Sequence, residues 1–140
     1  MLTNINPKIW GNSYWDTAHL ITFSYPVSPS DEDRQTIRDF FMIFKKVLPC
    51  EKCRNNFNEH LKTYPLNDSV LESRYNLIVW LINIHNEVNK MLGKKVMSID
   101  KVITKYSNKE NISYLKNAQM WTIILLIILI IILIIYTHNL

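Results

Sequence analysis

The sequence predicts an all-α protein: a four-helix bundle with a short fifth helix, plus a C-terminal transmembrane helix. Glycine is scarce, with two residues in 140, and five prolines are too few for the many turns of an all-β sandwich or barrel. Apolar residues recur at helical spacing over roughly the first 106 positions. The segment 120–136 consists mostly of isoleucine and leucine. These three observations define the predicted fold class.

The first two predicted helices are bounded by prolines and a capping signal. The first runs from Pro7 to Ser24 and ends at the Tyr25-Pro26 pair. The second begins after Ser30, an N-cap residue followed by three acidic residues, and Pro49 ends it. Their predicted buried stripes are Trp10, Tyr14, Trp15, Ala18, Ile21 and Thr22 in the first, and Ile37, Phe40, Phe41, Phe44, Val47 and Leu48 in the second.

The remaining helices follow the only two cysteines of the chain. The third starts at this pair and ends at Tyr64-Pro65. A longer fourth helix begins near 69–72 and ends at Gly93, and a short fifth spans about 98–106. The predicted inward stripe of the fourth helix is Tyr75, Ile78, Val79, Ile82, Val88 and Leu92. The predicted organisation is a domain over 1–110, a juxtamembrane linker over 111–119, an anchor over 120–136 and a short tail over 137–140.

The apolar segment 120–136 predicts a single membrane span. About 17 helical residues extend roughly 25 Å, which suits a thin bilayer, and Trp121 and Tyr136 are placed as interfacial residues. A buried core helix is the alternative, but the chain offers no comparable apolar partner surface. Lysines precede the segment and none follows it, so the positive-inside rule places the domain in the cytosol.

The net charge of +4 does not indicate a nucleic-acid-binding protein. The lysines are spread along the approach to the apolar segment, and no helix-turn-helix, zinc-finger or RNA-binding motif accompanies them. Their placement favours a position next to a membrane surface. We therefore expect no nucleic-acid partner.

The two cysteines form a Cys50-Glu51-Lys52-Cys53 motif at the start of a predicted helix. A disulfide here closes too short a loop to stabilise a fold appreciably, whereas a helix amino terminus lowers the pKa of a thiol. A zinc site needs two further ligands, and the histidines are not spaced as they are in zinc fingers, so no metal site is expected. A thioredoxin-type site needs a βαβ frame, and an inert pair of buried thiols is the third alternative. Redox catalysis in a helical frame is favoured.

Two groups of residues on helical faces suit a flat heterocyclic ligand. Trp15 and His19 are four residues apart, so their rings share one face of the first helix. His85 and Asn89 likewise share a face, with Asn86 beside them, and such polar side chains need partners if they are buried. Packing in the core is the alternative role for these aromatic residues, and this alternative explains His19 least well.

Five motifs occur in one order along the chain: Gly11-Asn12-Ser13-Tyr14-Trp15-Asp16-Thr17-Ala18-His19, Tyr25-Pro26, Pro49-Cys50-Glu51-Lys52-Cys53, Trp80 followed by the run from His85 to Lys94, and Lys105-Tyr106. Taken together, they resemble the Erv/ALR family of FAD-linked sulfhydryl oxidases. The resemblance covers Trp10 to about Tyr106, which is nearly the whole predicted domain.

The resemblance implies an enzyme that forms disulfides in protein dithiols. Substrate attacks the Cys50–Cys53 disulfide at Cys50, and Cys53 passes the electrons to FAD, from which O2 takes them to give H2O2. The implied catalytic residues are Cys50 and Cys53. The implied FAD-binding residues are Gly11, Ser13, Trp15, His19, Tyr25, Cys53, His85, Asn86, Asn89, Lys94, Lys105 and Tyr106.

The resemblance also sets expectations about partners and origin. Ile82 and Ile99 stand where many family members have a structural disulfide, and this sequence has no further cysteine pair to shuttle electrons. The electron donor is therefore expected to be a small redox carrier with paired cysteines. The short versions of large DNA viruses are similar in both respects, so a viral origin is expected, as is a homodimer formed through the first helices. A non-enzymatic, tail-anchored helical adaptor is the alternative function.

Overall fold

The computed structural model describes the backbone of residues 4–138 and the side chains of residues 4–107 and 120–132. The described residues form six α-helices and no strand, which confirms the all-α fold class. In chain order they are α1 (Pro7–Ser24), α2 (Asp31–Val47), α3 (Glu51–Thr63), α4 (Asp68–Leu71), α5 (Arg74–Met91) and α6 (Ile99–His138). The chain divides into two compact units, Met1–Val102 and Ile103–Leu140.

Helices α1 and α2 begin where the sequence predicts. Pro7 occupies the first turn of α1, and the Asn6 side chain caps that helix by accepting from Lys8 N. At α2, Ser30 Oγ accepts from Asp33 N, and the Asp33 carboxylate accepts from Ser30 N, forming a capping box. The Ser30 hydroxyl and backbone N–H also hold the pKa of Asp33 below its ordinary value.

Loss of the α2 cap should measurably destabilise the protein. Replacing Ser30 with alanine removes the acceptor for Asp33 N, and we expect the free energy of unfolding to fall by about 1 kcal/mol. Urea unfolding followed by circular dichroism measures this difference. Ser28→Ala is the matched control, because Ser28 is exposed and lies outside every helix. Equal stability of the two variants would contradict the assigned cap.

The predicted fourth helix is divided into α4 and α5. The break falls at Ser73, whose side chain accepts from Asn76 N and starts a new helix at Arg74. This second N-cap was not predicted from the sequence. The end of α5 is as predicted, because Gly93 follows it with a φ of +64°, a conformation that glycine adopts without a steric penalty.

The core of the first unit brings together side chains of α1 to α5. Helix α5 packs against α1, α3 and α4, and α2 packs against α3. Phe41 and Trp80 meet edge to face at 4.8 Å, and the Trp80 indole N–H donates to Tyr64 O. Of the predicted stripes, Val47, Tyr75 and Leu92 are instead exposed. All three lie within two residues of a helix terminus, where less of the fold covers them.

The last helix differs from the prediction. A short fifth helix was expected near 98–106, but α6 continues to His138. Neither proline nor glycine occurs between residues 99 and 138 to interrupt it.

Among the described residues, no helix has an apolar stretch long enough to cross a membrane, so the predicted span 120–136 is not confirmed. The side chains described within this segment, 120–132, are all exposed. The side chains of 133–136 and of the predicted linker 111–119 lie outside the described residues, as does part of the predicted tail 137–140.

Candidate active site

The two cysteines form a disulfide at the amino terminus of α3. Cys50 is the N-cap residue, and its sulfur accepts a hydrogen bond from Cys53 N at 3.1 Å. When the disulfide is reduced, this N–H can stabilise negative charge on the Cys50 sulfur. The local sequence builds this position because Pro49 ends the preceding segment and Glu51 starts the helix.

The two cysteines have different surroundings. Cys53 packs against the apolar core of the first unit. Cys50 lines an open cleft at the surface, next to the first turn of α3. An incoming thiol can therefore approach through the cleft on the Cys50 side, while Cys53 is directed into the fold.

A segment ahead of α1 supports the residues around the disulfide. Asn4 Oδ1 accepts from Glu51 N at 2.7 Å, and Ile5 N donates to Pro49 O at 2.8 Å. The Trp10 indole N–H donates to Ile5 O at 3.0 Å, which ties the segment to α1. Asn4 and Ile5 were not predicted as site residues, because no local pattern links them to residues more than forty positions away.

A second cluster of predicted site residues lies between α1 and α5. The Trp15 and His85 rings stack at 3.9 Å with an interplanar angle of 3°. His19 is buried, and its Nε2 lies 3.0 Å from His85 Nδ1. The sequence predicts two separate groups: Trp15 and His19 on one face of the first helix, and His85 and Asn89 on one face of a later helix. The structure brings Trp15, His19 and His85 into one aromatic cluster that suits a flat ring system.

The polar residues that follow His85 connect α5 to the loop after it. The Asn86 side-chain amide donates to Met97 O at 2.9 Å and accepts from Met97 N at 3.0 Å. Asn89 is buried, and its backbone carbonyl accepts from Lys94 N at 2.8 Å. The predicted ligand role of Asn86 thus coincides with a structural one, because its amide already fixes the loop. Lys94 is exposed on that loop.

Two oppositely charged groups on the same helix hold each other in their ionised forms. Lys90 Nζ lies 2.7 Å from a Glu87 carboxylate oxygen, and this hydrogen bond lowers the pKa of Glu87. Desolvation opposes that shift, and the Tyr64 hydroxyl, which also donates to Glu87, adds to it. The same contact raises the pKa of Lys90. Both groups thus remain charged near neutral pH.

Other predicted site residues lie apart from these contacts. The Tyr25 hydroxyl donates to Leu71 O at 2.9 Å within the core. Gly11 faces open space, and Ser13 is exposed on α1. Lys105 and Tyr106 belong to the second unit, where Lys105 Nζ lies 3.2 Å from Tyr106 Oη. Within the described part of the chain, no group of three His, Cys, Asp or Glu side chains could hold a metal ion.

Most of the chain is similar in sequence to known proteins. Residues 12–108, well over half of the chain, match the Erv1 / Alr family. The chain belongs to the Erv1/Alr family. A probable FAD-linked sulfhydryl oxidase of Acanthamoeba polyphaga mimivirus is 43% identical over 99 residues, which cover 71% of this chain and 69% of the relative.

Two further comparisons extend the Erv1/Alr relationship. A putative FAD-linked sulfhydryl oxidase of Invertebrate iridescent virus 6 is 33% identical over 100 residues, covering 69% of this chain and 90% of the relative. The crystal structure of the FAD binding domain of Erv1 from Saccharomyces cerevisiae superimposes with a TM-score of 0.69 at 27% identity. That match covers 75% of this chain and 97% of the yeast domain.

One expected departure within the Erv1/Alr family concerns a second disulfide. This sequence contains no cysteine besides Cys50 and Cys53, so no other internal disulfide can form. Ile82 is buried on α5 and Ile99 is half-buried at the start of α6. A direct contact between these two isoleucines stays a prediction.

Proposed function

We propose that the chain is an FAD-linked sulfhydryl oxidase that forms disulfides in protein dithiols. The observation that carries this proposal is the Cys50–Cys53 disulfide itself, with one sulfur lining an open cleft and the other packed against the core. Such a pair can exchange disulfides with a substrate on its outer side and deliver electrons inward. Membership of the Erv1/Alr family and the names of its viral relatives support the same activity.

The residues present fit FAD. Trp15, His19 and His85 supply contacting rings on α1 and α5. Asn86, next to His85, and Asn89, one turn further along α5, supply amides. Aromatic rings stack on flat heterocycles, and amides both donate to and accept from their polar edges. When bound, FAD accepts two electrons from a dithiol and transfers them to O2, which gives H2O2. Gly11, Ser13, Tyr25, Lys94, Lys105 and Tyr106 remain further proposed contacts.

The protein's own residues perform disulfide exchange in this proposal. A substrate thiolate attacks Cys50 Sγ, the Cys50–Cys53 bond breaks, and Cys53 leaves as a thiolate. A second substrate thiolate then attacks the substrate sulfur of the mixed disulfide and releases Cys50 as a thiolate, which accepts from Cys53 N. The substrate leaves as a disulfide, and Cys50 and Cys53 hold its two electrons.

The proposal is tested by flavin content and oxygen consumption. We expect the full-length chain to be purified with bound flavin, visible by its absorption, and to consume oxygen when dithiothreitol is added. Asn58→Ala on the exposed side of α3 serves as the control variant and should behave as the wild type. Colourless protein without oxygen consumption would favour the alternative function, a non-enzymatic helical adaptor.

The proposed partner is a small redox protein with paired cysteines. Because this sequence has no second cysteine pair, electrons must reach Cys50 directly from another molecule. The open cleft beside Cys50 is consistent with such direct access. The viral relatives support a viral origin of the chain.

A homodimer formed through α1 is part of the proposal. Ile9 is 75% exposed and Leu20 is 47% exposed, and their spacing places both on one face of α1. We expect the Ile9→Glu/Leu20→Glu double variant to show half the mass of the wild type in multi-angle light scattering. Val27→Glu is the control, because Val27 is exposed but lies beyond the helix. A wild-type chain with the mass of a monomer would refute the dimer.

Membrane attachment through residues 120–136 is supported by the sequence alone, since no helix within the described residues can span a bilayer. Extraction of expressing cells with alkaline carbonate tests it. We expect the full-length chain to stay in the membrane pellet and a variant without 120–136 to be released. Release of both proteins would exclude an integral anchor and, with it, the predicted cytosolic orientation.

A further inference from the structure

A cleft of about 650 Å³ lies on the Cys50 side of the disulfide. One wall is the segment ahead of α1, and the other is the first two turns of α3. Its lining residues are Asn4, Ile5, Asn6, Pro7, Cys50, Glu51, Lys52, Asn55 and Asn56. The cleft is separate from the Trp15–His85 stack, which none of these residues joins.

The cleft walls are rich in amides and carry no net charge. Four of the nine lining residues are asparagines, and the single acidic residue, Glu51, is balanced by Lys52. An asparagine amide can both donate and accept hydrogen bonds. An extended polypeptide presents one N–H and one C=O at nearly every residue, whatever its side chains. Amide walls therefore match a peptide backbone better than they match a charged metabolite or an apolar ligand.

The two walls are joined beside the reactive sulfur. Asn4 Oδ1 accepts from Glu51 N, and Ile5 N donates to Pro49 O. The bond from the Trp10 indole N–H to Ile5 O holds the amino-terminal wall against α1. These bonds order the wall before any ligand arrives, which reduces the entropy that binding must remove. The volume lies within the range of about 300–1,000 Å³ found for ligand sites.

We propose that this cleft binds an extended segment of the substrate protein and places its cysteine at the Cys50 sulfur. The inference rests on the proposed oxidase function and adds its substrate class, a dithiol within an extended, uncharged stretch of polypeptide. Asn55 and Asn56 pair with the backbone of that segment. Small dithiols reach Cys50 without these contacts, so the cleft distinguishes polypeptide dithiols from small ones.

Steady-state kinetics on the full-length holoenzyme test the proposal. The probes are a reduced twelve-residue peptide, with one Cys-x-x-Cys pair flanked by alanine and serine, and dithiothreitol. In Asn55→Ala/Asn56→Ala we expect KM for the peptide to rise about tenfold, since two hydrogen bonds are lost, with kcat unchanged. KM for dithiothreitol should stay constant. Asn58→Ala, on the same helix but outside the cleft, should leave both values unchanged.

A second measurement needs neither flavin nor oxygen. In a Cys53→Ser background, Cys50 is the only thiol, and it attacks a peptide cysteine carried as a mixed disulfide with thionitrobenzoate. The Cys50–peptide bond forms as the peptide–thionitrobenzoate bond breaks, and the coloured thiolate leaves because its conjugate thiol has the lower pKa. The two asparagine substitutions should slow this reaction about tenfold. The reaction with free dithiobis(nitrobenzoate) should proceed at the same rate with or without them.

The outcomes separate the two proposals. Equal rates with and without the asparagines, or equal losses for the peptide and the small reagent, would overturn peptide binding in the cleft. Absence of flavin and oxygen consumption would instead overturn the oxidase function, and the thionitrobenzoate assay would still report whether Cys50 prefers a peptide. Selective slowing with the peptide reagent alone supports the cleft as a polypeptide site.

Discussion

Cys53→Ser is expected to abolish oxidase turnover while leaving the flavin bound. Cys53 packs against the core and is the proposed donor of electrons to FAD, so its loss blocks every route from Cys50 inward. Removal of a residue that takes part in a covalent step typically lowers turnover by about 10³-fold or more. Oxygen consumption with dithiothreitol measures the loss, and the visible flavin spectrum shows whether the cofactor remains.

The companion variant Cys50→Ser separates the two cysteines. It should also lose turnover, but it leaves no thiol on the cleft side, so it should not form a mixed disulfide with a thionitrobenzoate-labelled peptide. Cys53→Ser should still form that mixed disulfide through Cys50. If Cys53→Ser keeps wild-type turnover, the inward position of Cys53 has no role in electron transfer.

Loss of flavin from Trp15→Ala is the second large effect that we expect. The Trp15 ring lies 3.9 Å from the His85 ring and nearly parallel to it, and His85 contacts His19. An aromatic stack is worth about 0.5–1.5 kcal/mol, so loss of the proposed contact between Trp15 and the flavin should weaken FAD binding by about twofold to tenfold. His85→Ala removes both the stack and the contact with His19, and its effect should be at least as large.

Flavin content after extensive dialysis, measured as moles of flavin per mole of chain, tests this expectation. Tyr75→Ala is the control, because Tyr75 is an exposed aromatic residue on the same helix as His85 and outside the cluster. Circular dichroism of each variant checks that the helices remain intact. Full flavin content in Trp15→Ala would place the cofactor away from this cluster.

Local patterns were sufficient to predict most of the helices. Pro7 and the Ser30 capping box identify the starts of α1 and α2, and Pro49 and Gly93 mark the ends of predicted helices. The division at Ser73 was missed because the apolar spacing continues across it. The length of α6 was missed because the expected linker has a loop-like composition, although it contains no helix-breaking residue.

The chemistry of the site was easier to predict than its geometry. Cys50 and Cys53 were identified from a local motif, and the structure shows them as a disulfide. The contact of His85 with Trp15 and His19 joins positions about seventy residues apart, and helical spacing cannot give such a pairing. The same holds for Asn4 at the start of α3 and for the Tyr25 hydroxyl at Leu71 O, which both depend on packing between helices.

Anaerobic titration of the full-length chain with dithiothreitol tests most directly whether protein thiols pass electrons to FAD. We expect the visible flavin absorbance of the wild type to bleach as the dithiol is added and to return when air is admitted. The absorbance of Cys53→Ser should persist under the same titration. A flavin spectrum that does not change in the wild type, or a chain that holds no flavin at all, would contradict the proposed function.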